Sequence, residues 1–253
     1  MQGNVWMRAA FLSITVAVTH PAVATSQLPN GFVRLSEIAP DILQDLRYAS
    51  ARNFTGRPVP GYHAPVCILA RPVAEALKRV QADLVPRGLS LLIFDCYRPV
   101  RSVAAFMQWA QDPTHSNQTK QYYPRLAKID LVRQGYIAQR SSHSKGIAVD
   151  LTIVRLSTNT PALRDALQSE PSPCTSVTTE AMQAGAVDMG TAFDCFDEAS
   201  HTDNARVSAE AKSYRGLLVA AMAKAGFQNY AREWWHFSFV ARGFDKVFDF
   251  PVD

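Results

Sequence analysis

Apolar positions recur along this chain in two distinct periods. From Arg71 onward, Val73, Leu77, Val80 and Leu84 fall at helical spacing behind an early Pro72, and Pro86 and Gly88 close the run. That predicts a helix with one buried face. Leu89-Ser90-Leu91-Leu92-Ile93-Phe94 is a short, mostly apolar run of strand length, and it delivers Asp95-Cys96-Tyr97-Arg98 at its end. Pro99 opens a second helical pattern through Val103, Phe106, Met107 and Trp109. Gly146 to Val149, continued past Asp150 as Leu151, Thr152, Ile153 and Val154, predicts another buried strand, fed by the loop Ser142-His143-Ser144-Lys145. Ser208 to Ala225 reads as a third helix, with Leu217, Leu218, Ala221 and Met222 on its apolar face. Ser208 is its cap, with Glu210 close behind, and Gly226 stops it. Phe227 to Val240 is aromatic and β-prone, and Phe248-Asp249-Phe250-Pro251 closes the chain.

Between these elements the pattern weakens. Residues 25–40 read as an extended, Pro-punctuated lead-in, Ile42 to Tyr48 as a short strand or helix end, and Asn53 to Tyr62 as a turn-rich surface loop. Asp112 to Gly135 is polar and irregular. From Ser157 to about Arg206, Ser, Thr, Pro and Gly are frequent and periodicity is weak. A loop of that length is uncommon in a compact domain unless it is functional or tied down. No repeat or inter-domain linker interrupts the chain, whose 253 residues suffice for a sizeable core. With 47% apolar and 19% charged residues the composition is that of a globular protein, not a disordered one.

The first residues are a separate case. Met1 to Arg8 carries one positive charge, Ala9 to Val18 is a short apolar run, and Ala22-Val23-Ala24 fits the small-x-small pattern of a cleavage site. Residues 1–24 are therefore expected to be a secretory signal that is removed, leaving a single domain from 25 to 253. The run is well short of the ~20 residues a permanent membrane anchor needs. Export, into the periplasm, implies an oxidising compartment. Cys67, Cys96, Cys174 and Cys195 then form an even set with three possible pairings. Cys174 with Cys195, which flank one irregular segment, and Cys67 with Cys96 are the favoured pairs; closing such a loop adds about 3 kcal/mol in the chain-entropy model. The net charge of +4 is mild and no Lys/Arg run is present, which argues against a nucleic-acid surface.

The chemistry concentrates at His143 and Asp150. Neither an imidazole nor an ionised carboxylate belongs at the mouth of a buried strand without a partner, and a shared cation would hold both. A zinc site needs a third protein ligand and a free position for water. The candidate ligand is His236, in Glu233-Trp234-Trp235-His236. On a helix, or at a bulged strand end, Glu233 could reach the same cavity without being a ligand and accept a proton from that water. Arg98, at a strand-to-helix junction, could steady an oxyanion. Each residue alone has a plainer reading: His236 as a core histidine, Asp150 as a strand-end cap, Arg98 as the partner of Asp95. His63, His115 and His201 lack such company and are expected at the surface.

Ser-x-His-x6-Asp followed far downstream by Glu-x-x-His resembles the D-Ala-D-Ala metallopeptidase family, and within it the VanX type of D-alanyl-D-alanine dipeptidase. The similarity runs from about Ile42 to Val252. It rests on Arg47-Tyr48-Ala49 with Asn53-Phe54-Thr55-Gly56, Asp95-x-Tyr97-Arg98-Pro99, Phe106-Met107-Gln108-Trp109 and Ser141-Ser142-His143-Ser144. Met189-Gly190 with Phe193-Asp194, Glu233-Trp234-Trp235-His236 and Phe248-Asp249-Phe250-Pro251 complete it. The resemblance implies that His143, Asp150 and His236 ligate a single zinc, that Glu233 is general base and then acid, and that Arg98 steadies the tetrahedral intermediate. It places Tyr48, Ser141 and Asp194 at the ends of a small D,D-dipeptide. The expected fold is α+β: one domain with a central, mainly antiparallel sheet flanked by helices and the zinc site at the sheet. The VanX type is cytoplasmic and lacks these cysteines, and its region matching Ser157–Gly185 is shorter. The expected function is thus an exported dipeptidase of wall turnover or scavenging. A D,D-carboxypeptidase acting on stem peptides and a non-catalytic wall-binding protein are the alternatives; oligomeric state stays open.

Overall fold

The computed structural model describes residues 27–114, 119–157, 160–168, 173–176 and 179–253. The expected signal segment and His115 lie outside the described residues. In chain order the elements are β1 (Phe32–Arg34), α1 (Leu35–Ile38), β2 (Leu43–Gln44), β3 (Ile68–Ala70), α2 (Arg71–Leu84) and β4 (Leu89–Asp95). Then come α3 (Val100–Gln111), α4 (Thr119–Tyr122), α5 (Asp130–Arg133), β5 (Ala148–Arg155), α6 (Thr160–Gln168), α7 (Thr179–Gln183), α8 (Ala209–Lys224), β6 (Phe227–Tyr230) and β7 (Glu233–Phe239).

β4 and β5 pair because both are apolar on both faces: all seven residues of β4 and the first seven of β5 are buried. A strand of that kind is stable only between two layers. The sheet built on them runs β2-β4-β5-β7-β6, antiparallel throughout except for the parallel β2–β4 pair. β1 and β3 form a separate antiparallel ribbon. The fold is therefore α+β with a mainly antiparallel sheet flanked by helices, as expected from the sequence.

α2 and α8 pack together against one side of the sheet. α2 turns Val73, Ala74, Ala76, Leu77, Val80 and Leu84 inward, and burying each of the larger aliphatic side chains contributes roughly 1.5–3 kcal/mol. Gln81 stitches helix to strand: its Oε1 accepts from Leu91 N at 2.9 Å and its Nε2 donates to Ser90 Oγ at 3.0 Å. Gly88 ends the helical stretch with φ +72, and Ser208 caps α8 by accepting from Ala211 N at 3.0 Å. The opposite layer is made of α6, α7 and the segment around Met189 and Phe193, which meets Leu92 and Phe94 of β4.

Four segments depart from the expected layout. The lead-in is not merely extended, because Val33 and Leu35 are drawn into the core and β1 finds β3 as a partner. Asn53 to Tyr62 is only partly a surface loop: Gly56, Arg57, Pro58 and Pro60 are exposed, but Phe54 sits among Tyr48, Phe106, Trp109 and Phe196 with ring centroids 4.8–6.0 Å away, and Tyr62 is 6% exposed. Turn residues shape this loop while its aromatic side chains anchor it. The stretch from Asp112 to Gly135 contains α4 and α5, and the Ser157 to Arg206 region contains α6 and α7.

Both favoured disulfides are formed, Cys67–Cys96 and Cys174–Cys195, across 29 and 21 residues of chain. In the chain-entropy model each removes about 3–4 kcal/mol of unfolded-state freedom. Cys67→Ser with Cys96→Ser is expected to lower stability by about that amount, measured by urea unfolding under non-reducing conditions. Alkylation of the unreduced, unfolded protein should label no cysteine, and labelling would refute both bridges.

Candidate active site

The site is a consequence of sheet register. Asp95 of β4 lies opposite Asp150 of β5, and Asp150 lies opposite His236 of β7, so three adjacent strands place their polar ends in one row. A register irregularity between Ile93 and Asp95 turns the end of β4, as bulges beside functional sites commonly do. His143 arrives from the other direction, on the short turn Ser142–Lys145 that precedes β5. Ser141 caps that turn by accepting from His143 N at 3.2 Å. Gly146 ends it with φ +72, and a Cβ there would lie 2.3 Å from Phe32 Cε1, so only glycine fits.

Three atoms converge. His143 Nε2 is 3.3 Å from Asp150 Oδ1, Asp150 Oδ1 is 3.0 Å from His236 Nδ1, and the two nitrogens are 3.2 Å apart. A tetrahedral zinc with bonds of about 2.0–2.1 Å has ligand-to-ligand edges of about 3.3 Å, so this triangle has the dimensions of one face of such a site. His143 Nδ1 donates to the carbonyl oxygen of Cys96 at 2.6 Å. A carbonyl can only accept, so the proton sits on Nδ1 and the Nε2 lone pair points into the triangle. His236 Nε2 faces the hydroxyls of Ser238 at 3.4 Å and Ser142 at 3.5 Å, leaving Nδ1 for the same point. Two imidazoles and one carboxylate, each oriented by a further contact, fit a divalent metal.

Around the triangle lie further acids and one bonded cation. Glu233 Oε2 is 3.9 Å from His236 Nδ1. Arg98 donates through Nε and Nη2 to Asp95 Oδ2 at 3.0 and 2.8 Å, and through Nη2 to Asp150 Oδ2 at 3.3 Å. Its guanidinium lies 5.3 Å from the Tyr48 ring and 5.1 Å from Phe106. Tyr62 donates to Asp95 Oδ1 at 2.7 Å, and Tyr48 donates to both oxygens of Asp194 at 3.1 and 2.9 Å. Asp194 adopts φ +59, the only described non-glycine residue in the left-handed region. The neighbouring Cys174–Cys195 bridge holds it there, as does Arg215, which donates to the carbonyls of Met189, Ala199 and His201 at 2.7–2.9 Å.

Tyr48, Arg98, Ser141, His143, Asp150, Asp194, Glu233 and His236 all line one cavity of about 300 Å³. The structure thus brings together every residue singled out in the sequence. It adds Tyr62, Ser142 and Ser238 as partners of site residues: Ser142 precedes His143 and Ser238 lies two residues beyond His236, whereas Tyr62 comes from a remote loop that no spacing signal marks. His63 is exposed and bonds Asp253 at 2.7 Å, whereas His201 is half-buried beside Tyr136 OH at 3.1 Å and not a free surface residue. Packing of the 196–201 turn against Tyr136 overrides its polar sequence context.

The pocket is short of positive charge. Burial, then the charge of Asp150, pushes the Asp194 carboxyl up to about 8. Burial, with Asp150 and Asp194, pushes Glu233 well above the usual carboxylate range, and burial raises Asp95 despite Arg98. At Asp150 burial also opposes charge, but the two histidines outweigh it and hold this carboxyl low.

A donor set of this kind at the end of an antiparallel sheet suits a metal-dependent hydrolase. Comparison with known proteins gives the family: the chain belongs to the M15 peptidases, described as D-ala-D-ala dipeptidase, a metallopeptidase family whose model matches residues 29–164 and 169–253. It is 34% identical over 223 residues to a D-alanyl-D-alanine dipeptidase of Enterococcus faecium, covering 88% of this chain and 98% of the relative. The corresponding dipeptidase of Enterococcus faecalis is 35% identical, covering 89% of this chain and 100% of the relative. That of Streptomyces coelicolor is 33% identical, covering 87% and 98%.

Asp194 makes a pH-dependent prediction. Its folded-state value of about 8 lies above the 3.8 of a free aspartate, so its contribution to stability is full below 3.8 and is lost as pH rises through 8. In chelator, Asp194→Asn should melt like the parent near about pH 4 and increasingly above it toward about pH 8.5. A gain of 1 kcal/mol corresponds to about 2–4 °C in Tm at this size. A gap that shrinks with rising pH would contradict the assignment.

Proposed function

We propose that this chain is an exported zinc dipeptidase that hydrolyses D-alanyl-D-alanine to two D-alanines. The observation that carries the reading is the triangle of His143 Nε2, Asp150 Oδ1 and His236 Nδ1, with edges of 3.0–3.3 Å, beside an acid that is not part of it. His143, Asp150 and His236 hold the ion. A zinc ion held by these three residues would supply the acidity for a bound water and the polarisation of the scissile carbonyl. Glu233, kept protonatable by its burial, takes the proton from the attacking water and passes it to the departing amine. Arg98, fixed by Asp95, offers its guanidinium to the oxygen that gains charge as the carbonyl carbon becomes tetrahedral. Asp194, oriented by Tyr48, takes the substrate's ammonium group, and Ser141 lies at the other end of the dipeptide.

The surplus of acids favours a bound cation. Asp95, Asp150, Asp194 and Glu233 carry four negative charges when ionised, and Arg98, the arginine bonded among them, offsets one. A divalent ion offsets two of the three that remain, while the dipeptide, with one ammonium and one carboxylate, adds no net charge. The names of the related enterococcal and streptomycete dipeptidases support the substrate.

The N-terminal pattern of residues 1–24 and the two disulfides support export to an oxidising compartment. No helix among the described residues is long and apolar enough to cross a membrane. An enzyme placed there meets D-alanyl-D-alanine released from peptidoglycan, which favours wall turnover or scavenging as its role.

The purified protein is expected to contain zinc by elemental analysis and to release D-alanine from free D-alanyl-D-alanine but not from a muropeptide. Cleavage of the muropeptide alone would overturn the dipeptidase reading. Glu233→Ala should keep its zinc and lose at least about 100-fold in kcat. Near-parental turnover would show that the base lies elsewhere.

A further inference from the structure

Glu233 and His236 pose a geometric problem. Side chains three residues apart on a regular strand point to opposite faces of the sheet. Yet these two line one cavity, with Glu233 Oε2 3.9 Å from His236 Nδ1, and both belong to β7. The resolution lies in the pairing of β6 with β7. Asn229 lies opposite Phe237, but the next residue, Tyr230, lies opposite Glu233. Trp234, Trp235 and His236 therefore have no counterpart on β6, and β7 bows out by three residues where both functional side chains sit.

A bow of that size strands backbone carbonyls that a regular ladder would satisfy. Asn229 answers this with its side chain. Its Nδ2 donates to the carbonyl of Glu233 at 3.0 Å and to the carbonyl of His236 at 3.0 Å, the two ends of the unpaired stretch. Carbonyls only accept, so the amide is oriented with its nitrogen toward them. The hydroxyl of Thr202, donating to Asn229 Oδ1 at 2.6 Å, holds the other end of the same amide. One planar group thus fixes the spacing between the backbone of the candidate base and that of the candidate metal ligand. On the other edge of β7 the register with β5 is regular at His236, and within the bow Trp234 Nε1 donates to Thr191 Oγ1 at 2.7 Å, so the carbonyls are held from β6 and the tryptophans from the opposite segment.

We propose that Asn229 is a positioning residue for catalysis, with Thr202 as its support: it sets where Glu233 stands relative to the metal held by His236. The inference rests on the metal-site reading above. It does not depend on the identity of the peptide.

The test compares Asn229→Asp, which keeps the acceptor for Thr202 and loses both donated bonds, with Asn229→Leu and with Thr202→Val. Zinc affinity is measured by competition with a chromophoric chelator, kcat and KM with D-alanyl-D-alanine, and folding by thermal melts in chelator. Both Asn229 variants are expected to lose about 10–100-fold in zinc affinity and in kcat at saturating zinc, with KM within about twofold, since Asp194 and Tyr48 are untouched. Thr202→Val should move the same two quantities in the same direction by less than about tenfold. Folded Asn229 variants that keep zinc affinity and kcat within about twofold, whatever their melting temperature, overturn the proposal. If neither Asn229 variant folds, Thr202→Val decides, and parental values overturn it. If the parent binds zinc but releases no D-alanine, the proposed activity fails, and the zinc-affinity series alone decides the role of Asn229.

Discussion

Asp150, Asp194 and Glu233 line one cavity, with Asp95 buried behind it and Arg98 bonded to two of the four acids, and most of the architecture answers that electrostatic strain. Burial first, and mutual repulsion after it, makes it costly for all of them to ionise together, so three are pushed toward their neutral forms while Asp150, flanked by both imidazoles, is not. A pocket in that condition is poised to receive cations. Two acceptors in it differ in setting: the oxygen of Asp150 is flanked by imidazoles, and the carboxylate of Asp194 is bonded by Tyr48. The same surplus explains why Arg98 is anchored twice and packed between aromatic rings, since an arginine free to swing could collapse onto the acids.

The sheet makes this arrangement affordable by putting the groups on rigid backbone. Asp95, Asp150 and His236 share a cross-strand row, so their separations follow from ladder spacing and not from loop conformation. Where the ladder cannot serve, local devices intervene: the irregular end of β4, the glycine-terminated turn under His143 and the amide of Asn229. Each is a deviation from regular geometry, and each sits within reach of the site.

Much of this was legible in the residues themselves. The apolar runs before Asp95 and around Asp150 announced two fully buried strands, and helical spacing announced α2 and α8. The His143, Asp150 and Glu233-to-His236 motifs marked the site because polar groups beside such runs need a partner. What stayed hidden was whatever depends on long-range pairing. β1 is three residues long and carries no period of its own. The Asn53 to Tyr62 stretch has the composition of a surface turn, and only its partners reveal that Phe54 and Tyr62 are core. The spacing of Glu233 and His236 left helix and bulged strand equally open, and it took the register against β6 to choose.

The two disulfides carry a consequence beyond holding loops together. Cys96 supplies the carbonyl that orients His143, and Cys195 directly follows the left-handed Asp194. While the thiols are reduced, the sheet still has its own hydrogen bonds to form on, but both ends of the pocket lose a tether. Were the chain exported as proposed, both tethers would form only in the oxidising compartment, so that the pocket would be completed there.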